Sequence, residues 1–206
     1  MTRRHVMLIV LIASSAPVWA EQPQTRRGFW LSVGAGFGSA QVSCDQCSAG
    51  SRVGSFSGTF RLGGTLGQHW LLGWEGSGWL KNNATEWLPT YADADRTLGH
   101  SSIVALYYPV ASSGFFLKAG AGVSYSGLSY GDCVDGTCYV QGEASGVGLG
   151  FTAGLGYDVR VGRNTSLTPE VTLALGLPRD LTEGGRSVAT GWSFNVVAIN
   201  LCLTFH

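Results

Sequence analysis

The chain of 206 residues carries 13 Lys and Arg against 13 Asp and Glu, so it has no basic excess with which to hold a nucleic acid. Charged residues make up 13% and aromatics 11%, with 31 glycines. That charged share is roughly half the usual one, yet the aromatic content and the regular alternation described below exclude a disordered low-complexity chain. Beyond the first twenty positions no window approaches roughly 18 continuous apolar residues. If the chain crosses a membrane, it crosses as strands and not as helices.

Arg3, Arg4 and His5 precede an apolar run from Val6 to Ala13, and Val18-Trp19-Ala20 follows. This is the pattern of a secretory signal over residues 1–20, with cleavage expected after Ala20. Glu21 rather than Cys comes next, so no lipoprotein processing is implied. Residues 21–27 are predicted to be a short polar lead, and 28–206 a single domain.

From Gly28 the side chains alternate. Phe29, Leu31, Val33, Ala35 and Phe37 share one face, and Ser32, Gly34, Gly36 and Gly38 the other. A period of two means a strand, and a face of small residues suits the interior of a narrow barrel. After a loop over Cys44 to Gly54, Phe56, Phe60, Leu62 and Leu66 form the next apolar face, with Arg61 on the opposite one. A tight turn at Gly67-Gln68-His69 leads into Trp70, Leu72, Trp74 and Leu80, with Gly73, Glu75, Ser77 and Trp79 on the small, polar side. A hairpin centred on Gln68 places Leu62 opposite Trp74, Leu66 opposite Trp70, and Arg61 opposite Glu75.

Residues 81–96 read as a polar loop, and a fourth strand runs from about Thr97 to Tyr108. Ile103 to Tyr108 is continuously apolar, so its alternation is poor; Val104, Leu106 and Tyr108 are taken to face outward. Beyond the turn at Pro109–Gly114, Leu117, Ala119, Ala121, Val123 and Tyr125 oppose Lys118, Gly120, Gly122, Ser124 and Ser126. A loop is expected over 127–144. The clearest strand follows, with Val147, Leu149, Phe151, Ala153, Leu155, Tyr157 and Val159 on one face. Six glycines or small residues, then Asp158 and Arg160, fill the other. Leu167 to Leu175 alternates with Thr168, Glu170 and Thr172, although Pro169 removes a backbone donor. A last loop is expected over Pro178–Gly191. The final strand, Asn195 to His206, puts Val197, Ile199, Leu201, Leu203 and Phe205 on one face.

These are eight strands with long connections after the odd-numbered ones and short turns after the even-numbered ones. A terminal strand ending next to Phe completes the pattern. The chain resembles the eight-stranded bacterial outer-membrane β-barrel family that includes the OmpA transmembrane domain, OmpX and the opacity proteins. The resemblance covers nearly all of 28–206. It implies an all-β, eight-stranded, antiparallel, transmembrane up-and-down barrel in the bacterial outer membrane. The loops are then extracellular and both termini periplasmic. It also implies contact with outer-membrane lipid and lipopolysaccharide, and with the barrel-assembly machinery through the C-terminal strand. Host or surface ligands are expected at the outer loops. His206, which displaces Phe205 from the last position, is expected to weaken the assembly signal. Phe29, Trp70, Tyr108, Phe115, Tyr157 and Phe205 are assigned to the periplasmic aromatic girdle, and Phe37, Phe56 and Tyr125 to the outer one.

Arg61, Glu75, Lys118, Asp158, Arg160 and Glu170 are all expected in the lumen, three of each sign. Buried charges need partners, so a plugged polar network is the reading, with a proton or ion path as the alternative. Cys44 and Cys47 share one outer loop and Cys133 and Cys138 another. In a secreted chain these are disulfide candidates, pairing within each loop or between loops. Cys202 is expected to be an inert lumen filler. His100 and Ser102 share a face, read as lipid-facing, which resembles the His-x-Ser pair of the outer-membrane lipid A deacylase. The pair lies on strand four, however, and no Glu on a lipid-facing position orients the His. No catalytic, metal or cofactor site is assigned; Asp93, Asp95, Asp132 and Asp135 read as solvated loop acids. The function expected is non-enzymatic: adhesion or envelope integrity, with a lipid A-modifying enzyme or a narrow channel as rivals.

Overall fold

A computed structural model describes residues 26–45, 47, 51–84, 94–134 and 137–206. The signal and residues 21–25 of the lead lie outside these. So do residues 85–93 and 135–136, with Asp93 and Asp135. Every element is a strand: β1 Phe29–Ser43, β2 Val53–Thr65, β3 Trp70–Ala84, β4 Ala94–Tyr107, β5 Phe115–Val134, β6 Thr137–Tyr157, β7 Val159–Arg160, β8 Thr165–Glu183 and β9 Arg186–Phe205. Each pairs antiparallel with its neighbours, and β9 pairs with both β8 and β1. The sheet therefore closes on itself and leaves no edge.

β6 and β7 form one stave. Leu155 faces Val171 and Val159 faces Leu167, so the register against β8 is unbroken across the gap. At the gap the Asp158 N–H turns away to the Gly114 carbonyl, 2.9 Å distant. Pro169, across from Tyr157 in this register, has no N–H to offer. The cylinder thus has eight staves.

The alternation decides which face is which. On β9, Val197, Ile199, Leu201, Leu203 and Phe205 are exposed on the outer wall, while Val196, Ala198, Asn200, Cys202 and Thr204 are buried in the lumen. The small residues of β1 are required by the closing seam. Gly34 pairs with Cys202, and a Cβ at Gly34 would lie 2.2 Å from Cys202 Sγ. The β2–β3 hairpin has the register of a turn centred on Gln68: Leu62 opposite Trp74 and Arg61 opposite Glu75.

Three expectations need correction. Val104, Leu106 and Tyr108 face the lumen, and it is Ile103 that is exposed. An all-apolar run carries no polar residue to mark its inner side. Here the inner side is itself apolar, packed with Trp30, Leu71 and Phe116. Tyr108 therefore does not belong to the girdle. The supposed loop 127–144 is a continuation of β5 and β6, paired as far as Val134 and Thr137. The loop Pro178–Gly191 is likewise the outer part of β8 and β9, which turn at Gly184-Gly185 with positive φ at both.

The lumen is filled at three levels. Toward the long hairpins an apolar cluster contains Val42, Trp79, Leu98, Leu128, Leu181, Trp192 and Phe194. Toward the short turns an aromatic cluster contains Trp30, Tyr108 and Phe116. Between them lie buried charges.

Candidate functional site

The middle level is built from four staves. Arg61 comes from β2, Glu75 from β3, Lys118 from β5 and Glu170 from β8, each at an inward position of its strand. Arg61 Nη2 lies 2.8 Å from Glu170 Oε2, and its Nε 3.6 Å from Glu75 Oε2. Lys118 Nζ lies 2.5 Å from Glu75 Oε2 and 3.7 Å from Glu170 Oε1, and donates to Thr172 Oγ1 at 3.2 Å. All four side chains are buried. Two cations and two carboxylates alternate in one ring, so the lumen carries no net charge at this level. That arrangement is what a dry interior demands, since a buried charge without a partner is costly.

Above the ring is a cavity of about 30 Å³, lined among others by Ser57, Thr59, Glu75, His100, Lys118 and Asn200. Thr59 Oγ1 and Glu75 Oε1 are buried without a protein hydrogen-bond partner among the described residues. The lining is mostly apolar, with Trp79, Leu98, Val196 and Ala198 beside these polar groups. Ser57 Oγ donates to Asn200 Oδ1 at 2.7 Å, and Arg61 Nη2 approaches Cys202 Sγ at 3.4 Å. Cys202 is free and buried.

Asp158 and Arg160 are not part of this ring. They lie at the short-turn level, where Asp158 accepts from Tyr108 Oη at 2.8 Å and from Thr168 Oγ1 at 2.7 Å. Here the sequence reading missed a residue. Arg26, assigned to a polar lead, is buried; its guanidinium sits 3.5 Å from the centroid of the Tyr108 ring. It donates to the carbonyls of Ala111 and Ser113 at 3.0 and 2.6 Å. Arg26, ahead of β1, thus reaches the β4–β5 turn across that mouth of the barrel. Only the absence of alternation before Gly28 was legible, and it carries no hint of this contact.

His100 and Ser102 point into the lumen, not to lipid, because β4 has the opposite facing to the one expected. The His100 ring nitrogen Nε2 lies 2.9 Å from the Leu175 carbonyl, and the ring packs edge-on against Phe194. No bond joins His100 to Ser102 among those described; instead Ser102 Oγ is buried without a partner among the described residues. No group of three or more His, Cys, Asp or Glu among the described residues could hold a metal.

At the long-hairpin end Cys44 and Cys47 are disulfide-bonded and pack against the apolar cluster. The same loop is tied to β9, with Asp45 N–H donating to the Thr190 carbonyl at 3.0 Å and Thr190 Oγ1 to Asp45 Oδ2 at 2.8 Å. Cys133 stands directly opposite Cys138 in the β5–β6 register, with side chains outside the described set.

A family model described as outer membrane protein beta-barrel domain matches residues 6–197. The chain belongs to this family. Among solved structures it is similar to Neisserial surface protein A, with 15% identity and a TM-score of 0.54, over 87% of this chain and 98% of that one. It is also similar to Ail, the attachment invasion locus protein of Yersinia pestis, with 12% identity and a TM-score of 0.53, over 87% and 99%. A major outer membrane protein from Thermus thermophilus matches at 14% identity and a TM-score of 0.52, over 86% and 98%. Identities this low carry the fold and nothing more. No curated protein matches in sequence. The chain is a small β-barrel of the bacterial outer membrane.

Proposed function

We propose that this barrel is a non-enzymatic surface protein. It stands with its long hairpins outside the cell and its short turns and both termini in the periplasm, after removal of residues 1–20. It is a self-filled cylinder whose outer segments carry any ligand. β9 is the segment offered to the assembly machinery, and lipopolysaccharide surrounds the outer half of the wall.

The observation that carries this reading is the three-level filling of the lumen. An apolar cluster, a neutral ring of four charges and an aromatic cluster capped by Arg26 follow one another along the axis. Such an interior suits a support rather than a passage. The described parts of the outer hairpins, by contrast, are tied together by the long β5–β6 ladder, the Cys44–Cys47 disulfide and the Asp45–Thr190 contacts. A rigid platform loses little entropy when it binds a partner.

The test is surface binding by non-adherent bacteria that express the protein, measured on host cells and extracellular matrix. Binding that disappears when residues 131–140 are replaced by a short turn, in a barrel that still shifts on a gel with heating, supports the proposal. Ion conductance by the purified barrel in a planar bilayer would overturn it.

A further inference from the structure

We propose that the outer wall at the β6–β8–β9 staves holds an anionic phospholipid of the periplasmic leaflet, with an acyl chain in a wall groove and its phosphate held by Arg163 and Arg27. The proposal rests on the orientation stated above.

The groove has a volume of about 250 Å³ and lies where the β6–β7 stave is broken. Its lining includes Leu155, Tyr157, Pro169, Val171 and Ile199. Pairing lapses between Gly156–Glu170 and Val159–Leu167, and the flat Pro169 ring lies outward across from Tyr157. Toward the short turns the exposed Val159 and Leu167 continue the apolar track. Tyr157, with Phe29, Trp70, Phe115 and Phe205, belongs to an exposed aromatic band at this end. Such a band marks the boundary between acyl chains and headgroups. The groove therefore opens on the chain side of the boundary, and the turn at residues 161–164 stands on the headgroup side.

Charge selects the headgroup. Among the described residues, the charged side chains at the short-turn end are Arg26, Arg27, Arg160 and Arg163 against Asp158 alone. Asp158 is buried and bonded to Tyr108 and Thr168, so it does not neutralise the rim. Arg26 is committed to the Ala111 and Ser113 carbonyls. Arg27 and Arg163 are exposed, and they flank one seam. Phe205, at the end of β9, lies between Thr165 of β8 and Leu31 of β1, and the His206 N–H donates to the Asn164 carbonyl at 2.9 Å. Arg163, in the turn before β8, and Arg27, ahead of β1, stand at the strand ends on either side of β9, on the headgroup side of the apolar groove, and their charge matches a phosphodiester. Guanidinium pairs well with phosphate oxygens.

The experiment places the full mature barrel in nanodiscs of equal parts phosphatidylglycerol and phosphatidylethanolamine and counts retained lipids by native mass spectrometry. The expected result is preferential retention of phosphatidylglycerol, by about fivefold for each arginine engaged. Arg27→Ala with Arg163→Ala abolishes the preference. Val171→Trp, or Ile199→Trp should the first fail to fold, fills the groove and lowers retention with the preference intact. Arg52→Ala with Arg179→Ala, at the other end, changes nothing. Equal retention of the two lipids, or a preference that survives loss of Arg27 and Arg163, overturns the site. Orientation is read separately. Asn164→Cys should react with an impermeant maleimide only after the outer membrane is permeabilised. Labelling in intact cells would overturn the periplasmic assignment, and with it the leaflet, whatever the nanodiscs show.

Discussion

Glu75 Oε2 is shared by two cations, with Lys118 Nζ at 2.5 Å and Arg61 Nε at 3.6 Å. Glu170 is shared by the same two. The ring is thus a closed square in which each charge has two opposite neighbours. Removing one member leaves the others unbalanced at a level where all four side chains are buried.

Glu75→Ala is therefore expected to destabilise the barrel by about 3–5 kcal/mol, the cost of leaving a buried charge unpaired. Urea titration in detergent micelles, followed by the heat-dependent gel shift, should show a lower midpoint. Glu75→Leu combined with Lys118→Leu removes one charge of each sign and should recover much of that loss. A double variant as weak as the single one would show that packing, not charge balance, sets the cost.

Most of this fold was legible in the alternation of side chains. Strands whose two faces differ, such as β1, β6 and β9, fixed their own facing. The Gln68-centred turn fixed the Arg61–Glu75 register. β4 failed because its inner and outer faces are both apolar near the short turns; period alone cannot tell lumen from lipid when the lumen is lined by Trp30, Leu71 and Phe116. The outer hairpins were hidden for the opposite reason. Toward the tips of the long hairpins β5 and β6 stay paired without an apolar outer face, through polar and glycine-rich sequence that resembles loop. The charge ring was legible by parity, but its separation from Asp158 and Arg160 depends on height along the axis, and Arg26 gave no periodic signal at all.

Arg26 is held by two carbonyls and the face of Tyr108. Charge-assisted hydrogen bonds and a desolvated cation–π contact together imply that Arg26→Ala costs about 2–3 kcal/mol. Arg26→Lys keeps the charge but cannot reach both carbonyls with a planar fork, so it should fall between wild type and Ala. The urea midpoint of the heat-dependent gel shift gives the readout, lowest in Arg26→Ala. Equal midpoints in all three proteins would remove the contact from the account of that mouth.

Ser102→Ala is expected to leave the lipid A of expressing cells unchanged, and so is the wild-type protein itself. Ser102 Oγ and His100 lie inside the barrel, apart from any acyl chain in the outer leaflet. A lipid A spectrum that loses a chain with the wild-type protein and regains it with Ser102→Ala would require the opposite facing of β4 and a different function.

The cysteines give a prediction that separates three kinds of thiol. Cys44 and Cys47 are bonded. Cys133 and Cys138 stand across one cross-strand pair, where opposed Cα atoms lie within about 4.5–5.5 Å of each other, inside disulfide range. Cys202 is buried against Gly34 and Arg61. Iodoacetamide should therefore modify no cysteine in the folded barrel, Cys202 alone after unfolding without reductant, and all five after unfolding with it. Peptide mapping identifies the sites. Alkylation of Cys133 and Cys138 in the unreduced, unfolded protein would mean that the β5–β6 hairpin is held by its ladder alone, and its tip should then be the first outer segment cut by protease on intact cells.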